Sequence, residues 1–309
     1  AFWRMLADIL RFNRHSVAWL EAHPEGRMTL RDFLREGAYS RAFADWYLLP
    51  MAAAIWSCPA GQMLDYPLAT FVRFCRNHGL LQVFDRPQWR SIVGGGREYV
   101  RKLAAGIDHI RLATPVRQVR RVEFGALVET DHDCRLFDDV VLACHSDQAL
   151  ALLGDADARE REILGAITYQ PNDVVLHTDA RLLPRSRSAW AAWNAYVPAE
   201  PDAPCSVSYC MNLLQGIASP APFVVTLNRT DAIDAQAILA RRRYAHPVYS
   251  HASVAAQARK AEIQGRRRTW FAGAYWGWGF HEDGMRSAVD VARDLGMQWN
   301  AAPAAQAAL

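Results

Sequence analysis

Near its end the chain passes from a short apolar stretch, Thr269-Trp-Phe-Ala-Gly273, into a loop of alternating glycines and aromatics, Trp276-Gly277-Trp278-Gly279-Phe280. A helix-prone run beginning around Gly284-Met285-Arg-Ser-Ala288 follows. A strand, a glycine turn and a helix in that order restrict the fold severely. The strand must enter a sheet whose connection runs back over one face, and the turn sets backbone N–H groups and a helix N-terminus where an anion, usually a phosphate, can approach. A second apolar run of the same kind, Val140-Val-Leu-Ala-Cys144, also enters a small-residue turn. The two are expected to lie side by side in one parallel sheet.

With 309 residues, 51% of them hydrophobic, the chain can bury a core large enough for one large or two interleaved domains. A net charge of +3 gives no reason to expect a nucleic-acid partner, and no nucleic-acid-binding motif is present. The triplets Arg241–Arg243 and Arg266–Arg268 read as solvated surface or as contacts to an anionic partner. The six cysteines, at 58, 75, 134, 144, 205 and 210, form no C-x-x-C and no zinc spacing, which fits a reducing cytoplasm. Cys75 and Cys144 read as small buried hydrophobes. The His246-Pro-Val-Tyr-Ser-His251 segment is a poor metal site because proline separates the histidines. No run reaches the ~18 apolar residues of a membrane span. The common hydrolase and triphosphatase motifs are missing.

The first 85 or so residues read as helical. Phe2, Leu6, Ile9, Leu10, Val17 and Leu20 recur at helical spacing, and His23-Pro24-Glu25-Gly26 ends that helix. Thr29 with Asp32 resembles a capping box for a helix stopping at Gly37. Ser40 can cap the next, which Pro50 should kink or end, and residues 67–78 are again helical. After Trp89 the texture changes. Gly94-Gly95-Gly96 feeds a helix, then strand-like runs follow at 110–122, 126–130 and 140–144, and Asp147 is placed to cap a short helix. Four further strand candidates, 174–178, 189–197, 206–213 and 223–228, suggest an antiparallel sheet, and a polar, helix-prone segment precedes the terminal motif.

In this order the segments resemble FAD-dependent oxidoreductases of the amine oxidase and phytoene desaturase superfamily, in a bacterial branch described as predicted NAD/FAD-binding proteins. The likeness rests on Tyr47–Trp56, Arg73–Gly79, the glycine turn at 94–96 with the strand from Ile110 to Val119, Val140–Gln148, Tyr169–His177 and Gly273–Gly284. It implies an α/β fold, α+β mixed in content, with a Rossmann-like FAD domain and an interleaved substrate domain. Residues 90–153 and 266–297 would form the FAD domain, 1–89 and 154–265 the substrate domain, and 298–309 a frayed tail. The G-x-G-x-x-G strand–helix unit that such a fold carries is not found, so the chain reads as lacking its first βαβ unit. It is expected to be colourless or to hold FAD only weakly.

By the same resemblance, cofactor contacts fall to Gly94, Gly95, Val116 (at the position whose backbone meets the adenine), Gly273, Gly284, Met285 and Ala288. Many relatives have Glu or Asp just after the strand glycine, where this chain has Ala274 and Tyr275. Glu282 and Asp283 suit a helix N-terminus electrostatically, which is also a sufficient structural reason for them. Trp276, Trp278 and Phe280 either wall the flavin or plug a domain interface. His281 either moves protons or is simply hydrogen-bonded. The reaction implied is hydride transfer from a small-molecule or lipid-like substrate to flavin, in a cytoplasmic protein without a transmembrane segment that could touch a membrane peripherally. No catalytic base is identifiable. The competing reading is a non-catalytic remnant of such a flavoprotein.

Overall fold

The computed structural model describes residues 1–56, 60–88, 90–198 and 206–297. Cys58, Cys205 and the tail from 298 lie outside them. The chain forms two compact units, residues 1–110 with 169–251, and 111–168 with 252–309. Segments 90–110, grouped from sequence with the residues that follow, fall in the first unit. Their helix, Arg97–Ala104, buries no residue, and Ser91 Oγ donates to Leu214 O of that unit at 2.6 Å.

The first unit opens with the helix Phe2–Ala22, whose buried positions are Asp8, Phe12, Ser16 and Leu20. The sequence pattern finds the helix but not the centre of its buried face, since Phe2 and Leu10 are exposed. Phe12 meets the rings of Phe33, Tyr39, Phe43 and Phe71 at 5.4–6.3 Å between centroids. Asp8 ties the helix down, accepting from the Ser40 backbone N–H at 2.9 Å and from Arg11 at 2.8 Å. The caps are as expected. Thr29 Oγ1 accepts from Asp32 N–H at 3.2 Å, and Ser40 Oγ from Phe43 N–H at 3.3 Å.

Pro50 does not end its helix. The turn Ala44–Leu48 is a π-helix, and the α-helix Leu49–Trp56 continues through the proline. Wider i→i−5 bonding, seen where Leu49 N–H reaches Ala44 O, loosens the turn that a proline ring would otherwise strike. Trp56 at its end packs on Tyr66 and Phe74 at 4.8 and 4.7 Å.

A five-stranded sheet completes this unit, in the order Trp193–Tyr196, Ser206–Cys210, Val224–Leu227, Thr168–His177, Ile238–Val248. The first four are antiparallel neighbours, as the alternating sequence suggests. The fifth corrects part of the expectation of a helix-prone segment: His251–Ala258 is a helix, but Ile238–Val248 before it is an 11-residue edge strand. Its three arginines and Pro247 mask the strand signal, yet these are the residues tolerated on an edge, where one side of the ladder faces solvent.

Across the sheet runs a buried polar chain. Asp179 N–H donates to His177 Nδ1 at 3.1 Å, which leaves the proton on Nε2, 2.8 Å from Thr226 Oγ1; that hydroxyl meets Ser208 Oγ at 2.8 Å. Burial pushes the His177 pKa below its ordinary 6.5, and the Asp179 charge only partly opposes this. The unfolded chain therefore takes up a proton at higher pH than the folded one. The stability from neutral His177 is complete above pH ~6.5 and is lost as pH falls through the lower, folded value. Thermal midpoints measured between about pH 5 and 7.5 should fall on the acid side, and His177→Gln should flatten that slope. An unchanged slope in the variant would remove His177 from the account.

The second unit holds a three-stranded antiparallel sheet, Val116–Val122, Gly125–Thr130 and Cys134–Phe137. The third of these strands is not marked in the sequence; it is exposed throughout and so lacks an apolar alternation. The sheet strand begins at Val116, not Ile110. Beside this sheet lies the parallel pair expected from sequence, with Thr269, Trp270 and Phe271 opposite Val140, Val141 and Leu142. The helix after Val140–Leu142 spans Ser146–Leu152 with His145, not Asp147, at its N-cap position; Gln148 Oε1 accepts from the His145 N–H at 3.2 Å. Cys144 is half-buried, whereas Cys75 is fully buried. No helix among the described residues is long and apolar enough to cross a membrane.

Candidate functional site

The parallel strand Thr269–Phe271 delivers the chain into the glycine loop, and the loop into the helix His281–Asp294. Each part of this turn is held by side chains whose spacing in sequence gives little sign of it. Gln264 exchanges two hydrogen bonds with the Phe271 backbone, at 2.7 and 2.9 Å. The Gln257 amide donates to Tyr275 O at 2.8 Å and Gly277 O at 2.7 Å. Trp276 Nε1 donates to Phe271 O at 3.1 Å.

Asp283 is the anchor of the loop. Buried on the first turn of the helix, its Oδ2 accepts from the Trp278 and Phe280 N–H groups at 3.0 and 3.1 Å. A Cβ on Gly277 would lie 2.2 Å from its Oδ1, so glycine is required there for close approach rather than for flexibility. The charge foreseen at this helix start is thus turned inward onto the loop, while Glu282 is 80% exposed.

Two of the glycines singled out in the sequence come together here. Ser287 Oγ accepts from Gly273 N–H at 2.8 Å and donates to Gly284 O at 2.7 Å, fastening the strand end to the helix start. Sequence reasoning missed Ser287; its one signal is a small hydroxyl residue three positions after Gly284, on the same helix face. Gly273 is extended, so its backbone suits any residue, but an added Cβ would sit 2.3 Å from the Tyr275 ring. Tyr275 is buried and so has a place in the core. At Gly284, apart from its chain neighbours and the backbone of its own helix, a Cβ would find within 4 Å only Ala274, at 3.8–3.9 Å. Met285, 40% exposed, and the exposed Ala288 lie one helical step apart on the following turns.

Val116 begins the first strand of the antiparallel sheet and is half-buried. Gly94 and Gly95 belong to the first unit. Both are left-handed, with φ of +83° and +82°, and Gly95 has no atom within 4 Å of where a Cβ would stand. Trp276, Trp278 and Phe280 are half-buried and His281 is exposed.

No protein-family model and no curated protein matches the chain. Solved structures do. A fatty acid isomerase from P. acnes aligns over 88% of this chain and 67% of its own, with 17% identity and a TM-score of 0.60. A putrescine oxidase bound to putrescine covers 94% and 75% at 14% identity, TM-score 0.58. Cyclohexylamine oxidase from Brevibacterium oxydans covers 87% and 68% at 12% identity, TM-score 0.57. At such identities the likeness is one of fold, and the chain has the mixed α/β fold of the FAD-dependent amine oxidase type.

Proposed function

We propose that the chain is an FAD-dependent oxidoreductase that takes a hydride from a small organic substrate. One observation carries the reading: a strand laid parallel on Val140–Leu142 runs through a glycine loop into a helix whose first turn is unobstructed at Gly284. A flavin bound there supplies the redox chemistry. Gly273 and Gly284, held together by Ser287, would let backbone approach the cofactor. Met285 and Ala288 would line the turns beyond, and the N-terminus of the helix would favour phosphate charge. The further cofactor contacts we propose are the left-handed glycines Gly94 and Gly95 of the first unit and the backbone of Val116 of the second. Segments 90–153 and 266–297 then serve the cofactor, and 1–89 and 154–265 the substrate. Trp276, Trp278 and Phe280 would keep water from the reacting face. An amine and a lipid-like molecule are the two substrate chemistries this reading admits.

The test is flavin titration of the full chain, followed by fluorescence quenching. Weak but saturable binding is expected. Gly284→Ala should retain it, because a methyl group makes only ordinary contacts with Ala274. Gly284→Asp should weaken it by at least about tenfold, since a carboxylate would fill the approach and repel a pyrophosphate. Circular dichroism of both variants should match the wild type. Equal FAD affinity for Gly284→Asp and wild type, with native dichroism, would end this assignment.

A further inference from the structure

On the first unit, far along the sequence from the glycine loop, two clefts of about 390 and 400 Å³ adjoin, sharing Asp173, Thr230 and Asp231 in their walls. One is lined by Arg241, Arg242 and Arg243 of the edge strand, the other by Arg229. Among the described residues none of these four arginines pairs with a carboxylate. Arg242 donates only to the Arg241 carbonyl, at 2.8 Å. That contrasts with Arg117, Arg121, Arg181 and Arg259, each held by an acid at 2.5–2.6 Å. Arg241, Arg242 and Arg243 thus line one cleft and Arg229 the adjoining one, and an anion spanning the two clefts would be attracted by cations from both.

The framework is also fixed in advance. Arg229 lies over the Tyr196 ring, 3.4 Å from its centroid, which holds the planar cation by its face and leaves its N–H edges free to donate. The turn before it is locked by Asn228, left-handed at φ +56°. Its side chain donates to Asn172 Oδ1 at 2.7 Å and accepts from Asp173 N–H at 2.9 Å. On the strand, Arg241 and Arg243 share a face, about two residue rises apart. Two concavities side by side, each with arginine in its wall, exceed what a single phosphate can occupy. Asp173 and Asp231 leave the site cationic, and they disfavour ligands whose charge is not concentrated at the guanidiniums.

The geometry points to a binding site for an anion carrying several phosphoryl groups, either a free polyphosphate or a polyphosphorylated lipid headgroup. The probes are inorganic tripolyphosphate, by calorimetry, and phosphatidylcholine vesicles with and without a phosphoinositide bisphosphate, by co-sedimentation. Binding of tripolyphosphate alone identifies a free ligand, and retention on the phosphoinositide vesicles a headgroup. In either case Arg241→Gln/Arg243→Gln should weaken binding at least about tenfold, as expected for losing charge-assisted contacts. Tyr196→Leu should weaken it too, and Tyr196→Phe, which keeps the ring under Arg229, should restore it. The charge control is Arg4→Gln/Arg14→Gln on the first helix, exposed and outside both clefts. If neither probe binds, or if the control pair loses as much as the strand pair, there is no such site.

Discussion

Arg121→Ala is expected to lower the unfolding free energy by about 3–5 kcal/mol, the cost typical of removing one partner from a buried ion pair. The Arg121 and Glu160 side chains are 1% and 2% exposed and meet at 2.6 Å. Arg121 also reaches Asp155 through Nε at 2.7 Å and the Asp155 carbonyl at 2.9 Å. Glu160 has a second duty, accepting from the Asp157 N–H at 2.8 Å in the capping box of the helix Ala158–Gly165. Truncating the arginine leaves that carboxylate buried with only the cap donor beside it. The double replacement Arg121→Met/Glu160→Leu should recover much of the loss, because it removes the burial penalty together with the attraction. Denaturant midpoints for the three proteins decide it. A single-variant loss below about 1 kcal/mol would mean that water reaches Glu160 once the arginine is gone.

Asp283→Ala is expected to cost about 3 kcal/mol and, with it, flavin affinity. Its carboxylate holds two backbone N–H groups of the glycine loop, and hydrogen bonds to a charged acceptor are each worth about 1.5–3 kcal/mol. Without it Trp278 and Phe280 lose the contact that sets the loop against the helix. Asp283→Glu should not rescue, since the space beside Gly277 has no room for another methylene. Thermal unfolding and FAD titration should therefore fall together. A variant that loses stability while binding FAD normally would show that the loop conformation is not what receives the cofactor.

How much of this was readable before the fold was seen depends on where the information sits. The parallel pairing of Val140–Leu142 with Thr269–Phe271 was legible because a buried parallel strand writes itself as an unbroken apolar run. The caps at Thr29 and Ser40 were legible because capping is local chemistry. The edge strand Ile238–Val248 was not, since a strand exposed along its outer side need not alternate. The anchors of the glycine loop were hidden for another reason. Gln257, Gln264 and Ser287 act on backbone groups of other segments, and nothing in their own neighbourhoods marks that role. Glycines 273, 277 and 284 were all visible as glycines, but the structure separates their reasons: contact with Tyr275, contact with Asp283, and an open first turn.

The π-turn at Ala44–Leu48 bears on how this chain tolerates change in length. The wider turn takes up one residue more than an α-helical turn would use, a residue that in a regular helix would advance everything beyond it by about 100° around the axis. The side chains of Leu49–Trp56 thus meet the core on a face that an uninterrupted helix from Ser40 would have turned elsewhere. A protein lacking one of these five residues could form a regular helix that keeps Trp56 on the same side, whereas a regular helix retaining all five would bring Trp56 round to the wrong side. In this segment the irregular turn works as a phase adjuster between two halves of one helix, taking up the one residue that a regular helix there would not need.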